Sequence, residues 1–397
     1  MPNFALYFGG QLVSNTGAWF QNLALALIVL QLTGSASALA FVTVAQFGPI
    51  LIFGGLAGRL ADAVKPRTIL IVTSLTAGTV TAALGFAVAG DEPVIALLYA
   101  LIALNGTAQA FERIAAQAII YELVGPSLLQ NAVVLSTIYV SGARSIGPGL
   151  AGLAFLTIGP SACLFLNAAS FGAIVLALLL IRPADLHPRP RPEGVRVSTL
   201  ATIRGLGRNR PLVVLLAVNV IVTMFAMNMN VVLTAVVTLD FSGDAGELGL
   251  THTLNAIGAI AGGLLLTRAR SVRVPLLVPA CLGFAFVLVV NAAVPTLLLF
   301  LVVAPVLGLG LGFYQGVLNS AAQVASPPHE IGRTMSLVTV GNYGFAPFGA
   351  VLIGVLIDLT TGQSAFVVGA AACILSAALV YFAVVRPARA PSAEAIG

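Results

Sequence analysis

The sequence predicts an all-α membrane protein of twelve transmembrane helices in two six-helix pseudo-repeat bundles, and three observations carry that expectation. Of its 397 residues, 59% are apolar and only 8% charged, and the mean hydropathy is +1.06. Water does not keep such a surface dispersed. A helix crossing hydrocarbon needs roughly 20 apolar residues, and the apolar runs supply twelve such lengths with short gaps between them. Sixteen of the eighteen Lys and Arg residues fall in or beside alternate gaps, while Arg113 and Arg144 lie within runs. Short loops rich in Lys and Arg stay on the cytoplasmic side.

Taken in order, the runs place spans over 5–32, 38–61, 68–89, 94–120, 131–157 and 161–181, then 212–239, 248–267, 274–294, 296–319, 334–357 and 364–385. The first run carries Gln11, Asn15, Trp19, Gln21 and Asn22 and lacks a basic leader, so it is expected to be a retained helix and not a signal peptide. The domain reading is a six-helix bundle over 1–181, a connector over 182–211, a second bundle over 212–385 and a tail over 386–397. Arg182, Arg189, Arg191, Arg196, Arg204, Arg208 and Arg210 fill the connector, whereas Asp91, Glu92, Asp240, Asp244 and Glu247 occupy gaps of the opposite side. Both termini and the connector are therefore expected to be cytoplasmic. The Pro-rich part, 187–192, should be extended, and 197–208 is either a short interfacial helix or a plain linker.

An internal repeat is suggested by Gly58 and Gly263, each close to a polar cap at the end of the second and eighth spans, and by Pro148 in the fifth span answering Pro347 in the eleventh. Duplicated bundles of this kind move about a midplane site. Cys163, Cys281 and Cys373 stand alone within runs and read as small packing residues, with no metal or cofactor expected. The basic balance fits anionic lipid, not nucleic acid.

Gly58-x-x-x-Asp62 followed by Lys65 and Arg67 resembles the loop motif between the second and third helices of the major facilitator superfamily. Ala63 stands where a basic residue is usual. Gln31-Leu32-Thr33-Gly34-Ser35, Glu122-Leu123-Val124 and Arg144-Ser145-Ile146-Gly147-Pro148 with Gly152 make the chain similar to the bacterial branch of enterobactin, drug and macrolide exporters. The last stretch resembles a degenerate Gly-Pro antiporter motif, in which Gly142, Gly147, Pro148 and Gly152 serve helix packing. The resemblance implies a proton-coupled exporter of hydrophobic or amphipathic molecules in the bacterial cytoplasmic membrane, working as a monomer by alternating access. It also implies a cytoplasmic gate of Gly58, Asp62, Lys65, Arg67 and Arg268, with Asp62 accepting from the N-terminus of the eleventh helix.

Polar groups inside the runs are the candidates for chemistry, because a charge within hydrocarbon is costly. Glu112, Arg113, Arg144 and His252 are the coupling candidates. Glu112 is the acid best placed to carry a proton, or else one half of a structural ion pair with Arg113. Arg144 is thirteen residues into its span, about 20 Å deep at the helical rise, too far to snorkel easily. It either attracts an anionic substrate group or serves as a strut to backbone carbonyls and a carboxylate. His252 either gates release by its charge or stands as a hydrogen-bonded wall residue. Asn15, Trp19, Gln46, Asn105, Gln109, Asn228, Asn255, Tyr314, Gln315, Asn342 and Tyr343 are the candidate lining of a mixed-polarity cavity, and the alternative for many of them is to join helix to helix.

The rivals are an importer or uniporter of a small metabolite, on the same fold, and a transport-dead sensor or scaffold. No Walker-type loop supplies ATP-driven transport, and His187, His252 and His329 are too scattered for a membrane hydrolase.

Overall fold

The computed structural model describes residues 2–187, 209–268, 272–327 and 330–389. Its described residues are helical with short turns. α1 (Pro2–Thr33), α2 (Ala36–Ala63) and α3 (Pro66–Ala89) come first. Ser35 caps α2 by accepting from the Ala38 N–H, and Pro66 opens α3, where its missing N–H is harmless. A helical run, Ile95–Leu180, is broken at Gly125 and Gly159, whose φ values of 69° and 84° lie in the left-handed region. Each glycine precedes a proline, so the run reads as α4 (95–124), α5 (126–158) and α6 (160–180). The turn after α4 is tighter than the sequence suggested, since α4 extends beyond the expected end at residue 120.

The expected seventh span is interrupted, although it contains neither Gly nor Pro at the break. α7 (Arg210–Ala226) stops and α8 (Met229–Ala235) continues into a wider turn over Val236–Asp240. The side-chain Nδ2 of Asn228 donates to the carbonyls of Thr223 (3.3 Å) and Met224 (2.9 Å), replacing backbone partners lost at the break. α9 (Ala245–Leu266) opens on a reciprocal cap: Glu247 N–H donates to Asp244, and Asp244 N–H donates to Glu247, both at 2.9 Å. α10 (Leu277–Ala292), α11 (Leu297–Ala325), α12 (Ile331–Leu359) and α13 (Gly362–Val380) follow, the last running on through a wider turn to the short α14 (Arg386–Arg389). Among the described residues, eleven stretches are long and apolar enough to cross a membrane. Large apolar side chains such as Ile52 (75% exposed), Phe86 (71%) and Leu298 (72%) turn outward, as lipid allows and water does not. The chain is a multi-pass membrane protein.

Two compact units emerge, and the chain order does not separate them cleanly: the first holds Met1–Glu193 with Leu233–Ala256, and the second Gly194–Val232 with Ile257–Gly397. The first unit is built on a core of Tyr7, Leu70, Ala115, Ile119, Phe171, Ile174 and Leu178. Its polar ties are long-range. The Asn3 side chain donates to the Arg182 carbonyl (3.2 Å) and accepts from the Arg182 N–H (3.1 Å), clasping the start of α1 to the end of α6. The His187 N–H donates to the Glu122 carbonyl at 2.8 Å, and its ring covers Gly125. The second unit is built around Leu212, Leu215, Phe284, Phe300, Tyr314 and Phe366, all fully buried or nearly so. There α9 and α11 approach so closely that a Cβ on Gly258 or Gly312 would strike the backbone of Pro305 or Ala259. The expected connector features at 188–208, together with Arg270, His329 and the tail from 390, lie outside the described residues.

Candidate transport site

In the first unit a chain of buried amides and a hydroxyl crosses four helices. Gln109 Nε2 donates to Asn105 Oδ1 (2.6 Å), and Asn105 Nδ2 donates to Thr81 Oγ1 (2.9 Å). Thr81 Oγ1 then donates to Gln21 Oε1 at 3.0 Å, and Asn167 Nδ2 reaches the same oxygen at 2.8 Å. All donation thus converges on Gln21, which holds α1 to α3, α4 and α6. Asn105 is 1% exposed and therefore enclosed by protein. Of the sequence candidates, Gln46 donates to Asn22 (3.2 Å), and Asn15 bonds back to Gln11. Gln21, Thr81 and Asn167 are the residues that the candidate lining omitted. Thr76 and Thr79 on the same helix merely bond their own preceding turn, so residue type alone does not mark Thr81.

A second cluster joins α1, α5 and α9. Trp19 lies against Gly147, so closely that any Cβ there would meet the indole, and its ring is 6.1 Å from that of His252. One turn on, Gly249 approaches the Pro148 carbonyl at 2.5 Å for a built Cβ, and Gly152 meets the Ala245 carbonyl. Gly149 faces the Thr253 hydroxyl. Gly142, the other glycine of the packing motif, has open space beside it. Arg144 is exposed, one turn before Gly147 on α5. Asn255 lies one turn beyond His252 on the same face of α9 and is 8% exposed.

Glu112 is half-buried on α4, and Arg113 beside it stacks over Phe47 of α2 at 5.6 Å. Among the gate candidates, Arg67 donates from Nε to the Leu178 carbonyl (2.8 Å) and from a guanidinium nitrogen to that of Leu179 (3.1 Å). It caps the end of α6, where free carbonyls and the helix dipole both favour a cation. Lys65 is exposed at the start of α3, Gly58 is half-buried in α2, Arg268 is exposed after α9, and the Asp62 side chain lies outside the described ones.

In the second unit, Thr223 Oγ1 donates to Asn342 (3.2 Å) and Asn219 Nδ2 to the Val338 carbonyl (3.0 Å), tying α7 to α12. Asn228 serves the break before α8, as above. Tyr314 is fully buried and stacked on Phe284 at 5.8 Å, with its hydroxyl unpartnered among the described residues. Gln315 donates to Asn319 (3.5 Å), and Tyr343 is 40% exposed.

The family described as transmembrane secretion effector matches residues 2–396. The multidrug efflux pump Tap of Mycobacterium tuberculosis is 27% identical over 369 residues, covering 90% of this chain and 87% of that protein. Macrolide efflux protein A of Streptococcus pyogenes is 25% identical over 372 residues, with 89% of each chain covered. Among solved structures, a point mutant of the nucleoside transporter NupG superposes with a TM-score of 0.75 at 13% identity, covering 97% of this chain and 100% of its own. A bacterial homologue of the iron transporter ferroportin gives 0.72 at 14%, covering 96% and 98%. At such identities the structural likeness speaks for the fold.

Proposed function

Because the chain belongs to the transmembrane secretion effector family of the major facilitator superfamily, we propose that it is a twelve-helix secondary transporter that exports hydrophobic or amphipathic small molecules by alternating access, driven by proton exchange. The observation that carries the reading is the cluster of Trp19, Arg144 and His252: a flat aromatic surface beside a membrane-embedded charge suits a ligand with an apolar body and a polar head. The efflux relatives agree with that chemistry. The count of twelve rests on splitting the apolar stretch Gly142–Leu180 at Gly159 and taking Arg210–Asp240 as one span. Two six-helix bundles, cytoplasmic termini, residence in the bacterial cytoplasmic membrane and action as a monomer complete the proposal.

Glu112 carries the proton: it is an acid within an apolar span, half-buried on α4. Arg67 ties the start of α3 to the end of α6, and Asp62, in the last turn of α2, accepts from a neighbouring helix when the cavity closes toward the cytoplasm. Proteoliposomes loaded with fluorescent amphipathic compounds test this. Gradient-driven export should be lost in Glu112→Gln while substrate binding persists. Undiminished gradient-driven export in the variant removes Glu112 from coupling, and movement of a small metabolite alone, inward and without a gradient, replaces the reading with an importer or uniporter.

A further inference from the structure

The exported compound has a charge class, and the first unit declares it by an excess of donors. On α5, Arg144 shares a face with Gly147, Pro148 and Ala151, at the i, i+3, i+4 and i+7 positions, and those three are buried against α1 or α9 or within the unit. The lipid face is the opposite one, marked by Ile146 (62% exposed), Leu150 (45%) and Leu153 (59%). The exposure of Arg144 is therefore to the inner side, one turn before the place where Trp19 lies on Gly147. Arg113 stacks over Phe47; Arg144 makes no hydrogen bond or ion pair among the described residues. A guanidinium has five N–H donors and no acceptor, and the indole of Trp19 is a donor only. Asn255, over nine-tenths buried on the His252 face of α9, has its Nδ2 unpartnered as well. Glu112 is the one acid inside the apolar spans of this unit whose side chain is described away from helix ends, and it forms no ion pair with Arg144.

We propose that the substrates of this transporter carry a carboxylate head, bound by Arg144 with the Trp19 indole and the Asn255 amide as further donors, while the apolar body lies against the Trp19 ring. The inference rests on the export reading above and narrows it to amphipathic organic acids. Lipophilic cations are disfavoured, because the site offers them a positive charge and, among its described residues, no carboxylate.

Trp19 is the single tryptophan of the chain, so its fluorescence reports on this site alone. The probes are para-bromophenylbutyrate and para-bromophenylbutyltrimethylammonium, which share a quenching body and differ in head charge. In the purified full chain, the carboxylate should quench Trp19 at a concentration about tenfold or more below that of the cation, the scale of one charge-assisted contact. Arg144→Gln should bring the two probes together, and Arg144→Lys should keep the order. Equal quenching by the native chain, preference for the cation, or a preference that survives Arg144→Gln overturns the proposal. The native comparison decides even where the variant does not fold. In proteoliposomes the two readings separate: carboxylate quenching without gradient-driven movement of either probe keeps the site and removes export, whereas export of the cation without carboxylate quenching keeps export and removes the site.

Discussion

The two compact units solve the same problem, polar side chains inside an apolar body, in different ways. In the first, one connected set crosses helices, with Gln109, Asn105, Thr81 and Asn167 all leading to Gln21 Oε1, beside single atoms without a partner among the described residues at Ser74, Thr253 and Asn255. In the second, several polar atoms have no partner among the described residues: the Tyr314 hydroxyl, Asn291 Oδ1, Ser376 Oγ and Gln315 Oε1. Polar ties there are separate and pairwise, from Thr223 and Asn219 on α7 to α12, and backbones approach closely where α9 meets α11 at Gly258 and Gly312. The difference teaches that polarity in a span does not measure its structural weight. A connected group is costly to remove, because its partners are left bare, and an unconnected one is not.

The contrast can be broken or sharpened by substitution. Gln21→Leu should have the largest effect: it leaves two buried donors, Thr81 Oγ1 and Asn167 Nδ2, without their acceptor, a loss of about 2–4 kcal/mol. Thermal unfolding in detergent would show it, and a melting point unchanged from the native chain would mean that the network carries no weight. Next comes Arg67→Ala, which strips two donors from the end of α6 and should cost about 1–2 kcal/mol. Proteolysis of the loop after α6 should rise with it. Smallest of all, Tyr314→Phe removes a hydroxyl that bonds nothing among the described residues and should shift stability by no more than about 0.5 kcal/mol in either direction. A large loss there would show that the second unit depends on its polar groups as the first does.

Much of the architecture was legible because lipid imposes a simple rule on composition. Apolar length located most spans, and the Gly-Pro pairs at 125–126 and 159–160 fall where turns were expected. The break before α8 was not legible. It depends on Asn228 turning back onto two carbonyls, and an asparagine at that position is equally compatible with an unbroken helix whose side chain faces a neighbour. The same ambiguity governs the site. Trp19, Arg144 and His252 were all singled out as residues, yet their meeting rests on contacts between α1, α5 and α9 that no local pattern encodes. Thr81 shows the limit most plainly, since Thr73, Thr76, Thr79 and Thr81 of α3 look alike in sequence and, of these, Thr81 reaches across to Gln21 while the others bond their own helix.

The clasp between Asn3 and Arg182 spans 179 positions, which orders events during synthesis. Asn3 is made before any of the described helices is complete, and its partner follows only after α6 has been made. Until then the Asn3 amide lacks the Arg182 backbone as its partner. The two bonds of the clasp fit one register of α1 against the end of α6, so the clasp forms last and only on a first unit whose intervening helices are already in place.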